Sequence, residues 1–108
     1  MATGLQVGKD WRQKYLWYAV QTRAKSEHIA AASLSRNEGI EVYCPRLKFQ
    51  RQTRRGRVWF TEALFPGYIF ARFMAATHMR AVSYGTAVTR VLQLGNRYAS
   101  VPDSAIDQ

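Results

Sequence analysis

The side chains in this 108-residue chain that could do chemistry are aromatic and basic, and they form two runs. The first run reads Leu64-Phe65-Pro66-Gly67-Tyr68-Ile69-Phe70-Ala71-Arg72-Phe73, and its alternation predicts a strand with large apolar side chains on both faces. One face carries Phe65, Ile69, Ala71 and Phe73, and the other carries Pro66, Tyr68 and Phe70. Because a domain of this size has few helices to cover a sheet, the second face either binds a partner or is buried by the domain itself.

The second run, residues 46–57, is basic, with six Lys and Arg and no acidic residue. The whole chain has 16 Lys and Arg against 7 Asp and Glu, a net charge of +9, which favours a polyanionic partner such as nucleic acid. A membrane is less favoured, because the basic residues do not concentrate on a predicted helix. The candidate nucleic-acid contacts here are Arg51, Arg54, Arg55 and Arg57. The alternative is a solvated hairpin whose charge only aids solubility.

The remaining reactive side chains show no catalytic or metal-binding pattern. The carboxylates are scattered, without an acid–base pair, a Ser/His/Asp order or a glycine-rich phosphate loop. His28 and His78 have no clustered ligands at metal-site spacing, and Cys44 has no second cysteine to pair with. We therefore expect a binding module rather than an enzyme, with no cofactor and no metal, and Cys44 as a buried residue of a strand.

Composition indicates one folded domain. With 47% hydrophobic and 13% aromatic residues the chain is too apolar to be disordered. No apolar stretch is long enough to cross a bilayer, and the first residues lack the apolar core of a signal peptide, so a cytoplasmic protein without a membrane partner is expected. Residues 1–15 are predicted to be a flexible tail, and residues 16–108 the domain.

Strands and helices alternate in the elements that must position these side chains. Strands are predicted at residues 16–22, 40–49, 64–73 and 87–94 with an extension at 98–101, and helices from Lys25 or Ser26 to Gly39, at residues 75–83 and from Pro102. The turn Arg55-Gly56-Arg57 predicts a protruding basic hairpin. This order predicts a two-layer α/β sandwich, a ferredoxin-like antiparallel sheet with both helices on one face.

Several segments together resemble the N-terminal domain of the NusG family of transcription elongation factors. They are Trp17-Tyr18-Ala19-Val20-Gln21-Thr22, the helical residues 25–37, Gly39-Ile40-Glu41-Val42-Tyr43-Cys44-Pro45, residues 64–73, and Val101-Pro102-Asp103-Ser104-Ala105-Ile106. The Leu-Phe-Pro-Gly-Tyr sequence before an apolar strand is the most specific of them. The resemblance implies a domain that binds bacterial RNA polymerase and suppresses pausing or termination.

The resemblance also implies two binding sites. In the family the open sheet face holds the tip of the clamp helices of the largest polymerase subunit, which points to Phe65, Pro66, Tyr68 and Phe70, with Leu94 and Ile106 as flanking candidates. Family members contact the non-template DNA strand near the start of helix 1 and the end of helix 2, which points to Arg23, Lys25, Arg80, Ser83 and Tyr84. Arginine and tyrosine suit a flexible single strand, since they can pair with phosphates and stack on unpaired bases.

Two alternatives stay open at the level of sequence. The same fold could be an RNA-binding domain resembling an RNA-recognition motif, with sheet aromatics stacked on bases, although the glycine–aromatic run of that motif is absent. Within the NusG family, the basic balance and the compact helix-2 region favour a specialised antiterminator resembling RfaH over a general NusG. Family members continue into a C-terminal KOW β-barrel that recruits the ribosome or a termination factor, and we expect that domain to be absent from this chain.

Overall fold

A computed structural model describes residues 10–95 and 97–106. In chain order the elements are a 3₁₀ helix Trp11–Gln13, β1 Tyr15–Thr22, α1 Glu27–Ser35, β2 Glu41–Tyr43, β3 Arg46–Thr53, β4 Gly56–Ala63, β5 Tyr68–Met74, α2 Ala75–Ser83, β6 Val88–Val91, β7 Gln93–Leu94, β8 Arg97–Tyr98, β9 Ser100–Val101 and α3 Asp103–Ile106. The main sheet has the order β2-β5-β1-β6, and all its pairings are antiparallel. Strand β9 pairs with β1 on the same edge as β6. This ferredoxin-like order confirms the predicted fold class.

The core lies between the main sheet and helices α1 and α2. In β5, Ile69, Ala71 and Phe73 are fully buried and alternate with half-buried residues, which confirms the predicted alternation. Strand β1 contributes Tyr18, whose ring lies 4.8 Å from that of Phe73. Burial raises the pKa of Tyr18 to about 12, so this phenol is neutral at physiological pH. Each large side chain buried here stabilises the fold by about 1.5–3 kcal/mol.

Strand β5 begins later than predicted, because residues 64–67 form a turn. The Tyr68 N–H donates to the Phe65 carbonyl at 2.9 Å, and Gly67 has φ of +83°. Glycine adopts this left-handed conformation without a Cβ penalty. The turn moves Phe65 off the core face: it is 45% exposed, and its ring lies edge-on to that of Phe70 at 5.5 Å. The prediction that Phe65 shares a face with Ile69 is therefore wrong.

The predicted strand at residues 40–49 is two strands in two different sheets. Strand β2 pairs with β5 at the edge of the main sheet, whereas β3 pairs only with β4. The break falls at Cys44-Pro45, since proline has no N–H to donate to a strand ladder. The Pro45 carbonyl instead accepts the Leu64 N–H at 2.8 Å, which joins the two ends of the hairpin. Cys44 is thus half-buried in a linker rather than in a strand, and burial raises the pKa of its thiol.

Strands β3 and β4 form the predicted basic hairpin. Its loop is Arg54-Arg55, because Thr53 pairs with Gly56, so the turn lies one residue earlier than predicted. The Thr53 hydroxyl closes the loop by donating to the Gly56 carbonyl at 2.8 Å and accepting the Arg55 N–H at 3.1 Å. The domain measures 56 × 29 × 25 Å, which fits a two-layer body with one projecting arm.

The start of the domain also differs from the prediction. The ring of Trp11 lies 5.9 Å from that of Tyr98, so the folded part of the chain starts before residue 16, while residues 1–9 of the predicted tail lie outside the described residues.

Two internal elements are shorter than predicted. Helix α1 ends at Ser35 rather than at Gly39. The strand predicted at 87–94 is interrupted at Leu92, whose N–H donates to the Ala19 carbonyl at 2.9 Å. Within residues 10–95 and 97–106, no helix is long and apolar enough to cross a membrane.

Candidate partner and nucleic-acid surfaces

An aromatic surface lies on the outer face of the main sheet, opposite the helices. Cross-strand register places Tyr43 beside Phe70, with their ring centroids 6.2 Å apart, and the Phe65 ring lies edge-on to that of Phe70. We call the set Tyr43, Phe65, Pro66, Tyr68 and Phe70 the aromatic face, and every member is at least partly exposed. The sequence prediction missed Tyr43. Its alternation with Val42 could have revealed it, because Val42 packs against the core.

Another part of the outer sheet face is covered by the chain itself. Trp17 and Ala19 alternate with the core residues of β1, yet they are only 7% and 8% exposed. Val101 is the register partner of Trp17, so the segment from β9 to α3 starts beside it. Ile106 in α3 is 8% exposed, whereas Leu94 on the separate β7–β8 pair is 53% exposed. Of the two predicted flanking residues, only Leu94 is therefore available to a partner.

A buried carboxylate holds the turn of residues 64–67 against helix α1. Glu27 is 7% exposed, and its Oε2 accepts the Gly67 N–H at 2.7 Å. Burial alone would raise the pKa of Glu27, but backbone N–H groups of Gly67 and of the start of α1, together with nearby His28, lower it below its ordinary value. On the other side of the turn, the Gly67 carbonyl accepts the Thr22 N–H at 2.8 Å. Glu27 is not among the site residues predicted from the sequence.

The two turns predicted to contact DNA meet at one edge of the domain. The Arg23 N–H donates to the Ala87 carbonyl at 2.9 Å, and the Thr86 N–H donates to the Ser33 hydroxyl at 3.3 Å. Lys25 and Ala87 both have left-handed backbones, with φ of +60° and +66°. Such a conformation costs a residue other than glycine about 1–3 kcal/mol and is common at functional sites. The fold thus joins two distant chain segments through strained turns.

Tyr84 projects from this edge, directly after helix α2. It is 82% exposed, and with Ser83 it borders a cavity of about 260 Å³ that is also lined by Arg90. The Arg90 Nε donates to the Gln21 Oε1 at 2.8 Å, which fixes the guanidinium. Arg80 lies exposed in the last turn of α2. The structure adds Arg90 to the predicted basic residues, and its place in an alternating strand could have revealed it.

A groove of about 700 Å³ lies between the turn before α1 and the base of the hairpin. Lys25 lines it on one side, Arg46 and Glu62 line it on the other, and Pro66 is also part of its wall. Lys25 is therefore placed between the edge that carries Arg23 and the aromatic face. The two predicted sites are neighbours in the structure.

One face of the hairpin, which we call the Phe face, is packed by its own side chains. It carries Leu47, Phe49, Arg51, Thr53, Val58, Phe60 and Glu62. The rings of Phe49 and Phe60 stack at 6.0 Å, and the Arg51 guanidinium lies 5.4 and 5.3 Å from their centroids. Arg51 therefore contributes packing as well as charge, whereas Arg54 and Arg55 are exposed at the loop.

The opposite face of the hairpin, which we call the Trp face, is basic and polar. It carries Lys48, Gln50, Gln52, Arg57, Trp59 and Thr61. The Lys48 Nζ lies 5.0 Å from the Trp59 ring centroid, and the Arg57 guanidinium donates to the Gln50 Oε1 at 3.5 Å. Charge and an exposed aromatic ring thus occur together on this side of the arm.

Fold and surfaces together define a binding domain that presents an aromatic face beside basic surfaces. The family model described as transcription termination factor NusG matches residues 15–108, so the chain belongs to the NusG family. A solved structure of Thermotoga maritima NusG, titled for a domain interaction in that protein, has a TM-score of 0.61 and 20% sequence identity over 86% of this chain. The chain spans about half, 54%, of that protein. No curated protein sequence matches the chain.

Family membership confirms the resemblance found in the sequence. The chain belongs to a family of transcription factors and not to a family of enzymes, as predicted. The NusG family is distinct from the proteins that contain an RNA-recognition motif. The match to NusG therefore does not support the alternative that the chain is an RNA-binding domain of that kind. The structural similarity supports the fold alone at this identity.

Proposed function

We propose that this domain binds the clamp helices of the largest subunit of bacterial RNA polymerase through the aromatic face and contacts the non-template DNA strand beside it. In this function it suppresses pausing and termination in the manner of a specialised antiterminator. The observation that supports the proposal best is the aromatic face: its most exposed ring, Phe65, sits on a turn that Glu27 fixes in advance, and it packs edge-on against Phe70 in strand β5. A preformed surface loses little conformational entropy on binding.

The chemistry of the aromatic face suits a protein partner. Phe65, at 45% exposure, and half-buried Tyr68 and Phe70 offer large apolar area with few rotatable bonds. Such residues form the hot spots of protein interfaces, and a tyrosine adds a hydroxyl that can bond at the rim. Tips of coiled helices, which bring apolar side chains and polar backbone ends together, fit this combination.

The basic edge supports the DNA part of the proposal. Arg23, Arg80 and Arg90 supply charge for phosphates, and Tyr84 supplies an exposed ring for an unpaired base. The groove lined by Lys25 and Pro66 connects this edge to the aromatic face. The net charge of +9 favours a specialised factor with strong DNA contacts over a general one.

The test is to replace Tyr68 and Phe70 by Ala in the same chain and to measure binding to RNA polymerase. Loss of two central aromatics is expected to cost about 2 kcal/mol or more, roughly 30-fold in Kd. The matched control is Leu47→Ala, because Leu47 is 52% exposed but lies on the hairpin. Circular dichroism and thermal unfolding check that the double variant is folded.

Salt separates this interface from a nucleic-acid interface. An apolar contact with polymerase is expected to persist as salt rises, whereas phosphate contacts weaken steeply. A folded double variant that binds polymerase as tightly as the unchanged chain would contradict the assignment of the aromatic face.

A further inference from the structure

Trp59 on the Trp face has an exposure that neither hairpin packing nor phosphate binding explains. The residue is 57% exposed, while the hairpin's own aromatic packing is made on the other face by Phe49 and Phe60. An indole has a single N–H that it can donate to a phosphate, so phosphate contacts leave most of its exposed ring surface unused. A large aromatic ring held on a projecting arm is, however, a suitable platform for stacking.

The surroundings of Trp59 indicate what stacks on it. The Lys48 ammonium lies 5.0 Å from the ring centroid, and the register pairs Trp59 with Gln50 and Arg57 with Gln52. All hairpin residues 46–63 are described, and none on this face is acidic. Lysine and arginine supply charge for phosphates, and the two amides can bond to base edges. The combination of a π surface, cations and amides complements a nucleic acid with exposed bases.

We propose that the Trp face binds single-stranded DNA, with one unpaired base stacked on Trp59 and the adjacent phosphates paired with Lys48 and Arg57. A duplex does not fit, because its base faces are covered by their neighbours except at the ends. The Gln50 and Gln52 amides of this face can also accept a hydrogen bond from a ribose 2′-hydroxyl, so the face itself does not select DNA over RNA. The DNA partner rests on the proposed function, and the binding itself needs no polymerase.

The test compares the 108-residue chain with Trp59→Ala and Trp59→Phe, using oligonucleotides alone. The probes are a single-stranded DNA, the same strand with abasic sites, its duplex and the RNA of the same sequence. We expect Trp59→Ala to weaken binding to the single-stranded DNA by roughly 5-fold to 100-fold and Trp59→Phe by much less. Binding to the abasic strand and the duplex is expected to stay unchanged, as is the salt dependence, because no charge is removed.

Leu47→Ala is the matched control, since it removes an exposed apolar side chain from the Phe face. Equal losses on the normal and abasic strands, or no loss on either, would overturn the stacking assignment. A larger loss on RNA than on DNA would overturn the choice of DNA. A fold defect in Trp59→Ala would weaken binding to the abasic strand and the duplex as well, so it cannot imitate the expected pattern. Failure of polymerase binding leaves these measurements unaffected, so the two proposals fail separately.

Discussion

At the scale of single residues, Glu27 links the start of helix α1 to the turn that carries Phe65. Its carboxylate is buried and accepts the Gly67 N–H, so removing the acceptor leaves an amide without its partner. A charged hydrogen bond of this kind contributes about 1.5–3 kcal/mol. The position of the aromatic face therefore depends on a side chain that does not belong to it.

Replacing Glu27 by Ala is expected to lower the free energy of unfolding at pH 7 by about 1.5–3 kcal/mol, and Glu27→Gln by less, because the amide oxygen can still accept the Gly67 N–H. The pKa of Glu27 is lower in the folded state than its ordinary value. Its ionic stabilisation is thus complete above the unfolded pKa of about 4.3 and is lost as pH falls through the folded pKa.

Denaturant titrations at several pH values check this prediction. The difference in unfolding free energy between the unchanged chain and Glu27→Gln is expected to shrink as pH falls below the unfolded pKa. Glu38→Gln is the control, because Glu38 is exposed in the turn after α1. A difference that stays constant with pH would show that the carboxylate is not ionised against the turn.

At the scale of elements, the hairpin is the main carrier of charge, and its arginines differ in surroundings. Arg51 lies against the Phe49 and Phe60 rings, while Arg54 and Arg55 form the loop. A substitution at Arg51 therefore removes packing as well as charge. Substitutions in the loop remove charge alone.

Changing Arg51, Arg54 and Arg55 to Gln is expected to weaken binding to all DNA sequences alike. The slope of log affinity against log salt is expected to fall by about 0.9 for each duplex phosphate that the variant no longer neutralises. Arg54→Gln with Arg55→Gln gives the charge effect without the packing effect. A variant with Arg12, Lys14 and Arg36 changed to Gln removes the same charge from other elements. Equal salt slopes in the unchanged chain and in all variants would show that the hairpin arginines neutralise no DNA phosphates and that the hairpin is only a solvated loop.

Elements whose signals are local were predicted well from the sequence. Features whose position depends on tertiary contacts were predicted poorly. Helix α2 was predicted at its observed bounds, and the alternation of β5 identified Ile69, Ala71 and Phe73 as core. The transfer of β3 into a second sheet depends on pairing with β4, and the position of Phe65 depends on a bond to Glu27 from 40 residues away. Neither is visible in local periodicity. The roles of the predicted contact residues toward polymerase and DNA stay predictions.

At the scale of the whole molecule, the candidate DNA edge exists only in the folded chain. The bond between Arg23 and Ala87 joins the turn before α1 to the turn after α2. Charge therefore comes from both segments, while the exposed ring of Tyr84 comes from one. This division predicts that affinity and sequence preference can be changed independently.

Tyr84→Ala is expected to cost about 1–3 kcal/mol toward a preferred single strand and less toward a random one. Arg80→Ala is expected to weaken both similarly, since phosphate contacts carry no sequence information. The measurement is recruitment and pausing on a library of non-template-strand sequences. Tyr84→Phe, which keeps the ring, is the control. An identical ranking of the library by the unchanged chain and Tyr84→Ala would show that Tyr84 does not read bases.

Because the hairpin strands are paired residue by residue, odd and even changes in strand length have different effects on which side of the arm a side chain occupies. Neighbouring residues of a strand point to opposite sides, so removing one residue from each strand would turn everything beyond the cut onto the other side of the arm. Removing two from each strand would restore the orientation and shorten the arm by about 6.6 Å, roughly two base pairs of B-form DNA. Insertions and deletions that leave the Phe face and the Trp face on their own sides of the arm must therefore change each strand by two residues at a time.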